Sequence, residues 1–254
     1  MDGRPVMLLA GGTGSIGRVV AAHALCAGWR VALHGRSTQS VGACVSMLGV
    51  DEAQGSLCGF AADIRESGAT RALVDRAATW AGRLDAVVDC VSTGPAGAQI
   101  TGLFAQTEPH AYGSLLDLSV AHLERLTHAA LPLLKQRGGT LIAFASDAGR
   151  FAAPRQALVG ASRAAIIGFV RNLAVEVAHD GVRVHCISPS FVIGSDSAQR
   201  LSHENSSRVE RATARAGLGL PTPADIAPLV LFLCGEGARK ITGQVISING
   251  GLHA

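Results

Sequence analysis

The stretch Val6 to Gly17, V-M-L-L-A-G-G-T-G-S-I-G, holds the most legible chemistry in the chain. Its five leading residues, Val6 to Ala10, are all apolar, which suits a buried parallel strand. From Ile16 to Leu25 the apolar residues fall at helical spacing. Between strand and helix, Gly11, Gly12, Thr13, Gly14, Ser15, Ile16 and Gly17 form a turn that aims backbone N–H groups and the positive helix end at a phosphate. Gly11 would permit the tight turn, Gly14 the close approach of a pyrophosphate, and Gly17 the packing of helix on strand. The bland alternative is an ordinary strand-to-helix turn.

A second group stands after the next apolar run, in H-G-R-S. An acidic residue there would grip the ribose hydroxyls of NAD. Arg36 beside Gly35 instead suits a 2′-phosphate, so NADP(H) is the expected dinucleotide. The alternative is a surface arginine. The six cysteines and nine histidines show no metal-ligand spacing, so no metal site is expected. The cysteines read as buried thiols of a reducing compartment, and a cytoplasmic protein is expected. Arg200 and His203 could reach a substrate, but a solvated face is the better reading of them.

Strand and helix patterns alternate along the whole chain. Strands are expected over Val6 to Ala10, Arg30 to His34, Leu57 to Ala61, Leu84 to Val91, Thr140 to Ser146, Arg183 to Ser188 and Gln244 to Ile248. Helices are expected over Ile16 to Leu25, Ser37 to Leu48, Glu66 to Trp80, Tyr112 to Gln136, Gln156 to His179 and Ala224 to Cys234. This order predicts an α/β fold: a single-domain, doubly wound (Rossmann) parallel sheet of about seven strands with helices on both faces, spanning residues 1–254. Thr93 to His110 and Phe191 to Leu220 read as long loops at the carboxyl edge of the sheet, the second as a substrate lid over residues 191–220. No uninterrupted apolar run approaches a membrane span, and no signal segment precedes the first strand. A hydrophobic share of 48% against 16% charged residues favours a thick core and subunit interfaces. The basic residues do not cluster with aromatics, which argues against nucleic acid.

With these segments in order, the chain resembles the short-chain dehydrogenase/reductase family over its whole length. A-G-G-T-G-S-I-G is similar to the family's T-G-x-x-x-G-x-G, with Ala10 and Ser15 as departures. Asp63-Ile64 resembles the Asp-hydrophobic pair that contacts adenine. Ala161-Ser162-Arg163 resembles its A-S-K, Ile187 to Ser190 its x-x-P-G around Pro189, and Thr242-Gly243-Gln244 with Asn249-Gly250-Gly251 its closing segment. The resemblance implies hydride transfer between a nicotinamide and a carbonyl or alcohol carbon, a small-molecule substrate, and a homotetramer or dimer.

The catalytic positions depart from that pattern. The family's tyrosine position is Val159, its lysine Arg163 and its asparagine Ser119; only Ser146 is retained. An arginine keeps a cation near ribose and nicotinamide but does not deprotonate. The chain's one tyrosine, Tyr112, falls at a packing position. Asp147 follows Ser146 and would serve as acid or base if desolvated, or stand as a solvated strand-end aspartate. Asp89 and Cys90 replace bracing asparagines, and Ser190 a glycine beside the nicotinamide. Three functions remain open on sequence: an NADP(H)-linked oxidoreductase with a rebuilt site; a non-redox enzyme (dehydration, isomerisation or C–C cleavage); and a catalytically silent cofactor-binding or partner subunit.

Overall fold

The computed structural model describes residues 3–50, 55–92 and 100–253. Seven strands form one sheet: β1 (Val6–Ala10), β2 (Arg30–Gly35), β3 (Leu57–Ala61), β4 (Ala86–Asp89), β5 (Thr140–Phe144), β6 (Arg183–Pro189) and β7 (Val245–Ile248). Their order is β3-β2-β1-β4-β5-β6-β7, and every pairing is parallel. The chain reverses its direction of winding between β1 and β4, the place where a doubly wound sheet opens a crevice at its carboxyl edge.

Side chains leave each strand alternately to the two faces. Val6, Leu8 and Ala10 join one core with Leu73, Leu123, Leu126, Ile166 and Val170. Met7 and Leu9 join the other with Val20, Leu33, Ile226 and Val230. The first core lies under α3 (Ala69–Ala81), α5 (His122–Lys135) and α6 (Ala157–Glu176). The second lies under α1 (Ser15–Cys26), α2 (Thr38–Leu48) and α8 (Pro223–Cys234). Ser37 and Ser40 close α2 with a reciprocal capping box, as Thr222 and Asp225 do for α8, which satisfies N–H groups that open a helix.

Three sequence expectations change. The segment 191–220 is not a loop: most of it is α7 (Asp196–Arg215), started by Ser195, whose Oγ accepts from Ala198 N at 3.1 Å. The long helix after Tyr112 is broken into α4 (Tyr112–Leu116), a π-helical turn (Asp117–Ala121) and α5. The helix expected from Glu66 begins at Ala69, because Gly68 takes a left-handed φ of 77° before it. By length and composition α6 could cross a membrane, yet Ile166, Ile167, Val170 and Ala174 bury it against the sheet as a core helix. Between the strands and the expected lid, Thr93 to Gly97 and their neighbours up to residue 99 lie outside the described residues.

Candidate active site

The glycine turn sits on the carboxyl end of β1, directly beside β4. Gly11 has φ +68°, and a Cβ there would lie 2.8 Å from the backbone of Cys90 and Val91. Gly14 begins α1, and a Cβ on it would meet nothing closer than Gly11 O at 3.4 Å, so the space beside it is open. Gly17 is needed for a reason the sequence did not supply. Its Cβ would fall 2.6 Å from Gly12 Cα and 2.7 Å from Gly11 O, so it lets the helix rest on the turn, not on the strand. Ser15 is buried, and its Oγ accepts from Asp196 N at 3.4 Å; the hydroxyl points to α7, leaving its N–H as its contribution to the turn.

A buried histidine supports this turn from below. Gly11 N–H donates to His34 Nδ1 at 3.1 Å, so Nε2–H donates to the Ala62 carbonyl at 3.0 Å. One nitrogen must accept while the other donates, which holds the ring neutral. Burial lowers the His34 pKa, and the Ala62 bond opposes that shift.

On the β2 side, Gly35 faces Thr13: a Cβ at 35 would lie 2.5 Å from the threonine methyl. No acidic side chain fits there without displacing Thr13, while Arg36 next door is exposed. Asp63 is tied to Arg65, whose Nε donates to Oδ1 at 2.9 Å. That bond holds the Asp63 carboxyl down at about 2, and the Arg36 charge adds to the effect. Ile64 beside it is buried and borders a separate hollow between α3, α5 and α6.

The main cleft has a volume of about 790 Å³ and brings together Ile16, Ser146, Val159, Arg163, Pro189 and Ser190. Ser146 caps the turn after β5, accepting from Ala148 N at 3.3 Å. Val159 packs with Leu158 on Ile100, Ala111 and Leu115, making an apolar wall where the family has its phenol. Arg163 is partly buried and makes no hydrogen bond or ion pair among the described residues. Burial pulls its pKa down from the ordinary guanidinium value, against the charge of Asp89.

Other expected site residues are engaged by the protein itself. Asp147 borders the cleft but is not the solvated strand-end aspartate of the bland reading. It is buried, and accepts from Ser188 Oγ at 3.2 Å, Ser247 Oγ at 2.5 Å and Asn249 Nδ2 at 2.6 Å. Three donors on two oxygens make it a structural hub joining the ends of β5, β6 and β7. Ser119 is buried in the π-helical turn, where it donates to the Leu115 carbonyl at 2.5 Å. Tyr112 stacks on Phe104 and shares a 2.6 Å hydrogen bond with Thr107. Asp89 braces the strand end by accepting from Val91 N at 3.1 Å. Burial and Asp89 push the Cys90 thiol well above its ordinary range, which excludes a ready thiolate nucleophile. The cysteines are all free thiols, but Cys26 is exposed, contrary to the expectation that they are buried.

Sequence reasoning missed His253. It lines the cleft and stacks on Phe151 with centroids 5.3 Å apart. No local pattern announces it, because β7 alone carries it there. The described residues contain no metal-ligand cluster. The side chains of Arg200 and His203 lie outside the described residues.

The fold and this turn define a dinucleotide-binding domain of the doubly wound class. The family described as enoyl-(acyl carrier protein) reductase matches residues 10–253, and the chain belongs to the short-chain dehydrogenase/reductase family. A tropinone reductase homolog of Arabidopsis thaliana is 28% identical over 248 residues, covering 96% of this chain and 90% of that protein. A 3-oxoacyl-(acyl-carrier-protein) reductase of Staphylococcus aureus is 28% identical over 251 residues, 97% of each. An actinorhodin polyketide ketoreductase variant solved with NADPH superposes with a TM-score of 0.88 at 25% identity, over 99% of this chain and 98% of that one.

Proposed function

We propose that this protein is an NADP(H)-linked oxidoreductase acting on a carbonyl or alcohol carbon through a rebuilt site. One observation carries the reading: Ser146 and Arg163, which has no partner among the described residues, line the same cleft as Ile16 of the glycine turn and Pro189 of β6. The open flank of Gly14, the start of α1 and Arg36 beside a side-chain-free Gly35 suit the dinucleotide. NADPH, when bound, supplies the hydride. Ser146 and Arg163 then hold the oxygen that gains negative charge, the first as a neutral donor and the second as a fixed cation. Arg163 does not give up its proton, and Val159 has none to give. Proton exchange therefore falls to water or to the imidazole of His253, which lines the same cleft. The cofactor-bearing NADPH structure and the reductase relatives support this reading by likeness. Free thiols throughout suit a reducing compartment such as the cytoplasm.

The test is NADPH oxidation followed at 340 nm with a panel of ketones and aldehydes. Ser146→Ala and Arg163→Met should each lower turnover by roughly 10²-fold, the scale for loss of one oxyanion donor, with NADPH still bound. Val159 sits in a filled apolar cluster. Val159→Tyr with Arg163→Lys should therefore fail to raise turnover of the native reaction. Tight NADPH binding with no turnover on any carbonyl would shift the reading to a non-redox reaction, which the missing phenol would then explain.

A further inference from the structure

We propose that the cleft recognises a substrate bearing an oxyanion group, a carboxylate or a phosphate, through Arg155, Arg211 and Arg215. This rests on the NADP(H)-linked reading only for where the cofactor lies. All three arginines line the cleft, together with Arg163. Among the described residues the one acid in that lining is Asp147, and its carboxylate is held by three donors. Among the described residues the cleft therefore presents four guanidinium groups against one carboxylate that is already hydrogen-bonded.

No hydrogen bond or ion pair occupies the side chains of Arg155, Arg211 or Arg215 among the described residues. Elsewhere on the surface arginines do find acids: Arg71 meets Asp75, Arg83 meets Asp85, and Arg125 meets Asp117. Arg211 and Arg215 stand four residues apart on α7, where neighbouring like charges repel each other. An anion seated between them relieves that repulsion. Arg155 comes from the other wall. It is the only described non-glycine residue with positive φ, at 68°, and its carbonyl accepts from Gly102 N at 2.9 Å. Strain of this kind persists where surrounding structure enforces it, and here it fixes where the side chain starts. A guanidinium fork matches carboxylate and phosphate oxygens bidentately, so the two sources share one recognition chemistry. Of the glycine turn, only Ile16 reaches this lining, so the arginines stand apart from the cradle that receives the pyrophosphate.

The experiment is calorimetric titration of the protein saturated with NADP, using succinate, inorganic phosphate and dimethyl succinate as probes. At least one anion should bind and the neutral ester should not. Arg155→Gln, and separately Arg211→Gln with Arg215→Gln, should weaken that anion at least tenfold while NADP affinity changes less than threefold. Stronger succinate binding identifies a carboxylate substrate, and stronger phosphate binding a phosphorylated one. Equal binding of the ester, or anion binding indifferent to all three substitutions, overturns the proposal. So does anion binding that disappears on NADP saturation, since the arginines then serve the cofactor. If NADP itself fails to bind, the oxidoreductase reading falls, and the same titration of the cofactor-free protein still decides: arginine-dependent binding upholds the anion site, and its absence removes it.

Discussion

At Gly35 a missing side chain helps decide which dinucleotide tail the site accepts. Thr13 fills the space where a Cβ would stand, so the acid that selects NAD has no room, while Arg36 projects beside it. Replacing Arg36 by Ala should cost NADPH binding about 1.5–3 kcal/mol and leave NADH affinity unchanged, as measured by calorimetry with both cofactors. Gly35→Asp should not produce an NAD enzyme; it should lower stability, because Thr13 must move. A second residue-scale expectation concerns His185, wholly buried on β6. Burial, with Arg183 adding to it, lowers its pKa to about 4. The folded value lies below the unfolded one, so the stability is complete above about pH 6.5 and is lost as pH falls towards 4. The loss is on the order of 3 kcal/mol. His34 shifts in the same direction. His185→Leu should melt no lower at pH 7 and decline less between pH 6.5 and 4 in a thermal titration. The glycine turn was legible in the sequence as a strand-to-helix turn, because the strand, the glycines and the helix follow one another in the chain. The Gly35–Thr13 contact, the His34 support and His253 were not, because each depends on segments far apart in the chain.

The strands were legible as elements because a parallel sheet buried on both faces leaves short, wholly apolar runs such as Val6 to Ala10. The helix α7 was not, because its sequence is polar almost throughout and carries no apolar stripe wide enough to show a period. The signal that could have found it was Ser195, a capping residue ahead of a proline-free and glycine-free stretch running to Arg215. Placing these residues on a helix changes what they can do, since it sets Arg211 and Arg215 on one face. The π-helical turn Asp117–Ala121 gives the other lesson. It carries Ser119 in place of the family's asparagine, and the serine hydroxyl is spent on the Leu115 carbonyl away from the cleft. Ser119→Ala should therefore lower stability by about 1 kcal/mol in denaturant unfolding and leave turnover within twofold. A large loss of turnover with stability intact would return Ser119 to the site.

Taken as one body, the molecule leaves apolar surface uncovered. Leu116 at the end of α4 is 48% exposed, Val175 on α6 76% and Phe232 on α8 49%. Between α3, α5 and α6 lies a hollow of about 890 Å³ bordered by Leu131, Phe169 and Leu173. A second copy of the chain would cover the side formed by α3, α5 and α6, and we expect a dimer or tetramer in light scattering at micromolar concentration. Val175→Glu should move that equilibrium towards smaller species. The size of the sheet could be counted from the sequence, but its assembly could only be expected from the surplus of apolar residues on the long helices. The Asp147 hub has a different kind of consequence, in time and not in space. The residue after Ser146 is bonded to side chains on β6, on β7 and at Asn249, so the cleft wall cannot loosen while the segment from Ser247 to Asn249 stays closed. These distant segments should form one cooperative opening unit. Amide hydrogens at residues 147–149 and 247–249 should exchange at a shared rate, and Asp147→Asn should accelerate both sets together while leaving the amides of β2 and β3 as slow as before.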